Sequence, residues 1–321
     1  MGASINQISN KIELHYFFSD DSHTMDATIR NKCEHEYLEI IKQISEVLNI
    51  ELSIESEAYL EGGLKEWLTV KIKKYPILSV IVSGVLINVI STPLITDNEL
   101  VELQKQELRL SIEHLKQELQ EDEKTVPTIN IENLTLVLNN DIKIIKHKSN
   151  FYKNLSSYSK VTKIETAVLS ETNEPIEKPN SIERSEFSKF ILVSDDLPAI
   201  IDDGAVIEII SPVLKRGSYK WKGLYKGEII DFYMKDAVFK ESVIQDREPF
   251  VNGTFIECVL EISQKIDDFG EVKNSSYSVL TVIKKDDGEA TILTKQGKKY
   301  KAEQKAKEQQ LSFNFGETSN E

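Results

Sequence analysis

The chain has 321 residues, of which 40% are hydrophobic, and this is enough to bury a core in each of two ordinary domains. Its formal net charge of -14 argues against a general nucleic-acid coat, because such binding needs many lysines and arginines to neutralise phosphates, but a local basic patch is compatible with it. The two cysteines, Cys33 and Cys258, are far apart, so the sequence predicts no disulfide framework, no metal-binding motif and no cofactor, and it suits a reducing cytoplasm.

The N-terminal residues 1–74 have the pattern of a small β-α-β unit. Residues 11–18 alternate apolar and polar side chains, as a strand does, and residues 50–54 repeat that alternation. Between these strands apolar residues recur every three or four positions, which predicts a helix over 25–48. The apolar positions of this helix are Ile29, Cys33, Tyr37, Ile41, Ile44 and Leu48. We expect Cys33 in the core and a short helix that carries Trp67 at the end of the unit.

An acidic loop follows the first predicted strand and supplies the candidate catalytic residues Asp20, Asp21 and His23. Open α/β sheets bind ligands beyond the carboxyl ends of their strands, and helix N-termini favour anions, so this position suits a catalytic site. The alternative is a helix cap within a solvated acidic loop. Geometry has to decide between the two, because residue types alone do not define an active site.

Residues 75–95 carry no charged side chain. Their number matches the roughly 20 residues that a helix needs to cross a bilayer, which makes them a candidate transmembrane helix attached to the inner membrane. Ser83 and Asn88 near the middle, together with many β-branched residues, also fit a buried β-hairpin or a core helix. In a membrane, Ser79, Ser83 and Gly84 would form a small-residue face through which such helices self-associate.

Residues 96–126 are highly charged and have strong helix propensity, which predicts a long amphipathic helix. An apolar seam with near-heptad spacing runs along it and includes Leu108, Ile112, Leu115 and Leu119. Such a seam supports self-association as a short coiled coil, or packing of the helix on its own domain.

Residues 127–185 form a mixed segment that ends in a proline-containing linker at 171–185. Between residues 143 and 163 several lysines are interleaved with aromatic side chains. Alternating basic and aromatic residues can bind phosphates and stack bases, and the same pattern also fits a solvated face above a core. The candidate nucleic-acid-binding residues here are Lys146, Lys148, Lys153 and Tyr152.

Residues 186–285 are rich in short strands separated by Gly, Asp or Pro. Strands are predicted over 190–193, 205–210, 219–234 with a break at Gly227, 254–262 and 277–282, with a single helix over 236–245. This predicts an antiparallel sheet or small barrel, an architecture common in ligand, peptide and nucleic-acid binding. The basic and aromatic side chains of residues 215–226 form a second cluster. Alternation favours Trp221 as a core anchor with the neighbouring lysines on the opposite face.

The tail, 286–321, is charged until it reaches a short hydrophobic motif that contains Gln310, Leu311 and Phe313. This motif resembles the peptides by which bacterial DNA-repair and replication proteins bind the sliding clamp. The resemblance implies that Gln310, Leu311 and Phe313 contact a partner, although Phe313 stands where leucine is more usual. The alternative is a tail that docks on its own domain.

Residues 15–41, 57–67 and 211–234 together resemble a family of bacterial hypothetical proteins with the same order of segments. The resemblance implies an α+β fold with a small N-terminal β-α-β unit, an apolar segment, a long amphipathic helix and a C-terminal mixed or antiparallel β domain. It also implies a bacterial cytoplasmic setting, and it transfers no catalytic residue.

Three functional hypotheses follow from these observations. The first is a non-enzymatic interaction or sensor protein that self-associates and attaches to the inner membrane. The second is a soluble accessory protein of DNA transactions or phage defence that contacts nucleic acid or the sliding clamp. The third is an enzyme that uses Asp20, Asp21 and His23. No small-molecule ligand is identifiable from the sequence.

Overall fold

A computed structural model describes residues 10–20, 22, 24–56, 64–72, 76–94, 131–245, 247–288 and 290–316. The fold is α+β, as predicted, and the chain divides into two compact units. The first unit contains the described residues up to Ser194 together with Asp268–Glu271, and the second contains the other described residues from Asp195 onwards.

The first unit is a five-stranded antiparallel sheet with helices on one face. Its strands lie in the order β2-β3-β1-β4-β5, and the first four have the order of a ferredoxin-like sheet. The elements are β1 (Lys11–Phe18), α1 (Ala27–Leu48), β2 (Ser53–Ser56), β3 (Leu64–Lys71), α2 (Pro76–Ser91), α3 (Ile131–Leu138), α4 (Ile142–Ser157), β4 (Val161–Leu169), β5 (Asn180–Glu183) and a 3-10 helix (Arg184–Phe190).

The pairing of β4 with β1 shows that the sequence boundaries at 74 and 127 do not separate compact units. The predicted strand at 11–18 and helix at 25–48 are confirmed, and Cys33 is buried in the core. The predicted helix around Trp67 is wrong, because Trp67 lies in β3 opposite Glu13 of β1. Adjacent strand residues point to opposite faces of the sheet, so Trp67 packs with Ala167 and Leu169 while Leu68 packs in the main core of the unit.

The uncharged stretch forms α2, a helix of 16 residues, so the β-hairpin alternative is wrong. Among the described residues, no helix combines the length and the apolar character that crossing a membrane requires. The transmembrane prediction therefore has no support. The helix is apolar on all sides and packs inside the core of the first unit, as such helices do. Its buried apolar side chains are Ile81, Val82, Val85, Leu86, Val89 and Ile90.

A guanidinium group closes the C-terminal end of α4. Arg184 Nη1 donates to the carbonyl oxygens of Leu155, Tyr158 and Val161 at 2.9 to 3.2 Å, and its Nη2 donates to that of Ser156 at 2.6 Å. Two of these carbonyls, those of Leu155 and Ser156, belong to the last turn of α4, where carbonyl groups lack partners within the helix, so one side chain from the predicted linker supplies donors to them.

The second unit is built on a closed sheet. Its elements are β6 (Asp196–Ser211), β7 (Lys220–Tyr225), β8 (Glu228–Met234), α5 (Ala237–Ile244), β9 (Phe255–Ile266), β10 (Val272–Asp286), β11 (Thr291–Leu293) and α6 (Lys295–Gly316). Strands β6 to β10 close by the pairing sequence β6-β7-β8-β10-β9-β6. The β8–β10 pair is parallel and the other pairs are antiparallel.

The predicted small barrel is confirmed in its coarse form, and so is the single helix after β8. Trp221 is fully buried and packs with Phe232, Phe239 and Phe250. The predicted strand at 190–193 is wrong, because Phe190 ends the 3-10 helix and anchors the core of the first unit.

Candidate nucleic-acid interface

In the acidic loop after β1, the described carboxylates form structural contacts within the first unit. Asp20 accepts hydrogen bonds from the Ser22 hydroxyl at 2.9 Å and pairs with Lys160 at 3.3 Å. The bond from Ser22 is the main reason why the pKa of this carboxyl is lowered. Asp26 caps α1 by accepting from Thr28 N and Ile29 N. The other two catalytic candidates, Asp21 and His23, lie outside the described residues.

The basic and aromatic residues of α4 do not form a solvent-facing surface. Lys146, Lys148 and Tyr152 are all buried, and only Lys153 of the four candidates is exposed. Tyr152 packs in a stacked arrangement on Phe190, with ring centroids 4.3 Å apart. A nucleic acid cannot reach these three side chains in this structure, which corrects the expectation of a binding surface here.

Lys148 instead binds the end of another helix. Its Nζ donates to the carbonyl oxygens of Val89 at 3.2 Å and Thr92 at 3.0 Å, and to Asn139 Oδ1 at 2.6 Å. These acceptors satisfy the ammonium group and close the C-terminal end of α2, where a cation is favoured. Burial lowers the pKa of Lys148 to about 7. Through its three hydrogen bonds Lys148 joins the ends of two helices within the core of the first unit.

The small residues proposed for self-association also lie inside this core. Ser79 accepts a hydrogen bond from Ile72 N at 2.9 Å, and Ser83 donates to the Ser79 carbonyl at 2.8 Å. A Cβ placed on Gly84 would lie 3.7 Å from Ile131 Cδ1. These residues face their own unit, so they do not offer a surface to a second copy. The seam residues Leu108, Ile112, Leu115 and Leu119 lie outside the described residues.

A buried polar cluster in the first unit was not predicted. Glu66 Oε1 lies 3.0 Å from Arg30 Nε, and burial raises the pKa of Glu66 to about 7. The hydroxyls of Tyr16 and Tyr37 are buried and have no hydrogen-bond partner among the described residues. Glu66 is buried in this cluster and Arg30 is partly exposed, so the cluster adds a buried titratable group to the fold.

The second basic and aromatic cluster has the opposite arrangement. On β7 the side chains alternate, so that Trp221 points into the barrel while Lys220 and Lys222 are exposed, as predicted. On β8 the same alternation places Asp231 and Tyr233 on the outside. The two strands thus share one outer face. On this face one lysine of β7 lies opposite an aromatic ring of β8 and the other lies opposite an acid.

Cross-strand register defines this face as a series of rows. Lys220 lies opposite Tyr233, with its Nζ 5.1 Å from the centre of the tyrosine ring. Lys222 lies opposite Asp231, at an N–O distance of 3.7 Å. Both lysines reach solvent, so their charges remain available to a ligand. Tyr233 was missed at the sequence level because only strand pairing brings it beside Lys220.

The loop between β6 and β7 extends the face with further basic and aromatic groups. It contains Lys215 and Arg216, both exposed, and Tyr219, which is 51% exposed. Arg216 Nη2 pairs with Glu241 of α5 at 2.6 Å, which joins the loop to that helix. Gly217 has φ of +139°, and a Cβ there would lie 2.6 Å from the Tyr219 ring, so glycine allows this aromatic ring to lie over the loop.

The connectivity of the barrel is that of the OB fold. Its strands follow the closed order first-second-third-fifth-fourth, the third and fifth are parallel, and a helix joins the third to the fourth. In this fold, the faces of the second and third strands and the loop between the first two bind oligonucleotides or oligosaccharides. The basic face described above lies on those elements.

No known family or relative is found for this chain. A scan against protein-family models gives no match, and neither the search of curated proteins nor that of solved structures gives one. The candidate site therefore depends on the geometry of the chain itself.

The candidate clamp-binding residues fall within α6, whose helical backbone continues through Gln310, Leu311 and Phe313 to Gly316. Their side chains lie outside the described part of the structure. Contact with a sliding clamp stays a prediction.

Proposed function

We propose that this protein binds single-stranded nucleic acid through the outer face of β7 and β8. The observation that carries the proposal is the placement of Lys220, Lys222 and Tyr233 on the second and third strands of an OB-type barrel. This develops the second hypothesis, that of a soluble accessory protein of DNA transactions or phage defence that contacts nucleic acid or the sliding clamp. Membrane attachment is not proposed, because the apolar stretch forms a core helix of 16 residues.

The chemistry of the face suits a single strand better than a duplex. Exposed lysines can neutralise phosphates, and an aromatic ring such as Tyr233 can stack on an unpaired base. In a duplex the bases are already stacked inside, so that only the charge contacts would remain. We therefore expect a single strand to bind more tightly than the corresponding duplex.

The number of basic side chains sets the expected salt dependence. Four groups, Lys215, Arg216, Lys220 and Lys222, lie on or beside the face. Each phosphate contact on a single strand contributes about -0.7 to the slope of log affinity against log salt. Two to four contacts give a slope of about -1.4 to -2.8. This modest value is compatible with a chain whose net charge is -14.

The test is the anisotropy of a fluorescein-labelled mixed-sequence oligonucleotide of about 16 nucleotides, titrated with the full-length protein from about 50 to 200 mM salt. The double variant Lys220→Glu, Lys222→Glu should bind at least about tenfold more weakly and with a flatter salt slope. Both side chains are exposed, so the fold should persist.

The matched control is Lys298→Glu, Lys299→Glu, which makes the same change in net charge at two exposed positions of α6. It should keep affinity within about twofold, because it leaves the β7–β8 face intact. Equal losses in both double variants would point to net charge alone. Absence of binding to every oligonucleotide would overturn the proposal.

A further inference from the structure

The outer face of the barrel changes character along the strands. Two residues beyond Lys222 lies Leu224, which is paired with Ile229 of β8. Ile229 is 67% exposed, which is unusual for an isoleucine on a sheet. Two residues along a strand span about 7 Å, so an apolar row lies beside the cationic one.

Register extends this row across four strands. Leu224 lies opposite Glu208 of β6, and Glu208 lies opposite Phe255 of β9, which is 41% exposed. Neighbouring positions on β6 add Val206 and Ile210, each about half exposed. The row that runs from Phe255 through Glu208 and Leu224 to Ile229 is called the apolar row below. Exposed apolar groups in a contiguous patch are typical of binding surfaces.

Glu208 is the one charged side chain within the apolar row. It is half-buried, and within the described residues its carboxylate makes no hydrogen bond or ion pair. Two other carboxylates of the same strands differ, since Asp231 pairs with Lys222 and Asp202 pairs with Lys226. A carboxylate between apolar neighbours, with both oxygens free, is suited to accept hydrogen bonds from a ligand.

We infer that the apolar row binds the bases of the strand and that Glu208 selects guanine. The Watson–Crick edge of guanine has two adjacent donors, N1–H and the 2-amino group, which match the two oxygens of a carboxylate. Thymine offers a single donor between two carbonyl oxygens, and cytosine and adenine offer one donor next to an acceptor. Unpaired bases are read at this edge, and bidentate pairs discriminate most strongly.

This inference rests on the proposed function and assigns each part of the strand to a part of the face. Phosphates would lie along Lys220, Lys222 and the β6–β7 loop, and bases would lie over the apolar row. Leu224 and Ile229 would supply the apolar surface beneath the base, and Glu208 would bind its edge. The base preference is a property of one side chain, whereas affinity depends on the whole face.

The experiment compares thymidine oligonucleotides of about 16 nucleotides in which central positions carry guanine, inosine, adenine or cytosine. Inosine retains N1–H and lacks the 2-amino group. Wild-type protein should bind the guanine-containing strand about fivefold to a hundredfold more tightly than the all-thymidine strand, with the inosine strand between them. Anisotropy with the full chain is the readout.

Glu208→Gln is the deciding variant, because an amide keeps the shape and replaces one acceptor with a donor. It should abolish the preference for guanine over inosine while it changes affinity for the thymidine strand by less than about twofold. Glu303→Gln on α6 is the control and should keep the preference. Ile229→Ser should weaken every strand, in contrast to Val238→Ser on α5, whose side chain is similarly exposed.

The outcomes separate this inference from the proposed function. Equal affinity for all strands, still lost in Lys220→Glu, Lys222→Glu, would overturn the selection of guanine and leave nucleic-acid binding intact. A preference for guanine that survives Glu208→Gln would also overturn it. Absence of binding to all strands would remove both.

Discussion

Two segments of this chain join lysines to aromatic residues, and the fold uses them in opposite ways. On α4, Lys146, Lys148 and Tyr152 are buried, whereas on β7 Trp221 is buried and its lysine neighbours are exposed. The composition of the two segments is similar. The difference teaches that secondary structure decides which charges reach solvent. A strand places adjacent residues on opposite faces, whereas adjacent residues on a helix are only about 100° apart and can be buried together.

The helical case also shows why a lysine can be a core residue. Lys148 finds three oxygen acceptors at the ends of two helices, so its ammonium group is satisfied without water. Lysine is seldom fully buried without such partners. A long side chain with a terminal donor group reaches acceptors that no local sequence pattern indicates.

The largest expected effect tests this contrast through stability. Lys148→Met should lower the free energy of unfolding of the first unit by about 2 to 4 kcal/mol, because two buried acceptors and one partly buried acceptor lose their donor. Trp67 belongs to the first unit and Trp221 to the second, and the chain has two tryptophans. Urea unfolding followed by fluorescence in a Trp221→Phe background therefore reports the first unit.

The exposed lysine of the strand provides the control for this measurement. Lys222→Met should change the free energy of unfolding by less than about 0.5 kcal/mol, because its salt bridge with Asp231 is solvent-exposed. Trp221 fluorescence in a Trp67→Phe background reports this value. Similar losses of unfolding free energy in Lys148→Met and Lys222→Met would contradict the contrast between a buried and an exposed lysine.

The next effect is a dependence on pH. Burial lowers the pKa of Lys148 to about 7 from an ordinary value of 10.5, so above pH 7 the folded state binds fewer protons than the unfolded state. The free energy of unfolding of the first unit should therefore rise from pH 7 to 9, by at most about 1.4 kcal/mol per pH unit. Below pH 7 this contribution should level off.

The difference between wild type and Lys148→Met isolates this lysine from other groups. The thiol of Cys33 has a pKa raised by burial to about 12, and Glu66 has a raised pKa of about 7. Both titrate equally in the two proteins and cancel in the difference. A difference that stays constant from pH 7 to 9 would mean that Lys148 remains charged in the folded state throughout.

The smallest effect concerns the aromatic partner on each segment. The Tyr152 hydroxyl donates to the Ile90 carbonyl at 2.9 Å in the core, so Tyr152→Phe should lower the free energy of unfolding by about 1 kcal/mol. Tyr233 lies on the outer face of β8, so Tyr233→Phe should be neutral within about 0.5 kcal/mol. Chemical unfolding of each unit measures both changes in free energy. A larger loss for Tyr233→Phe than for Tyr152→Phe would contradict the assignment of Tyr152 to the core and Tyr233 to the outer face.

The sequence predicted those parts of the fold that depend on local periodicity. Alternation at 11–18 and in β7 gave the correct strands, and the three-to-four spacing gave α1. The short helix at Trp67 and the strand at 190–193 were wrong because both are short segments whose conformation depends on their partners. Trp67 lies in a strand because its segment pairs with β1. Phe190 lies in the core, where its ring stacks on Tyr152.

Only the β7 part of the candidate site was predictable from the sequence. Trp221 with exposed lysine neighbours follows from alternation alone. Tyr233 and Glu208 join the site only through the register of β8 and β6 with β7, and register is a property of the assembled sheet. The apolar stretch shows a limit of composition as evidence. An uncharged run has the same composition in a core helix as in a transmembrane helix, so composition could not distinguish the two for α2.

The hydrogen bonds of the Arg184 guanidinium group can form only late in the synthesis of the first unit. Its four acceptor carbonyls lie 23 to 29 residues before it, across the end of α4 and the start of β4. At about 5 to 20 residues per second, a ribosome finishes α4 roughly 1 to 6 s before Arg184 is added. During this interval the carbonyl oxygens of Leu155, Ser156, Tyr158 and Val161 lack the guanidinium donor, so these contacts of the first unit form only after residue 184 has been made.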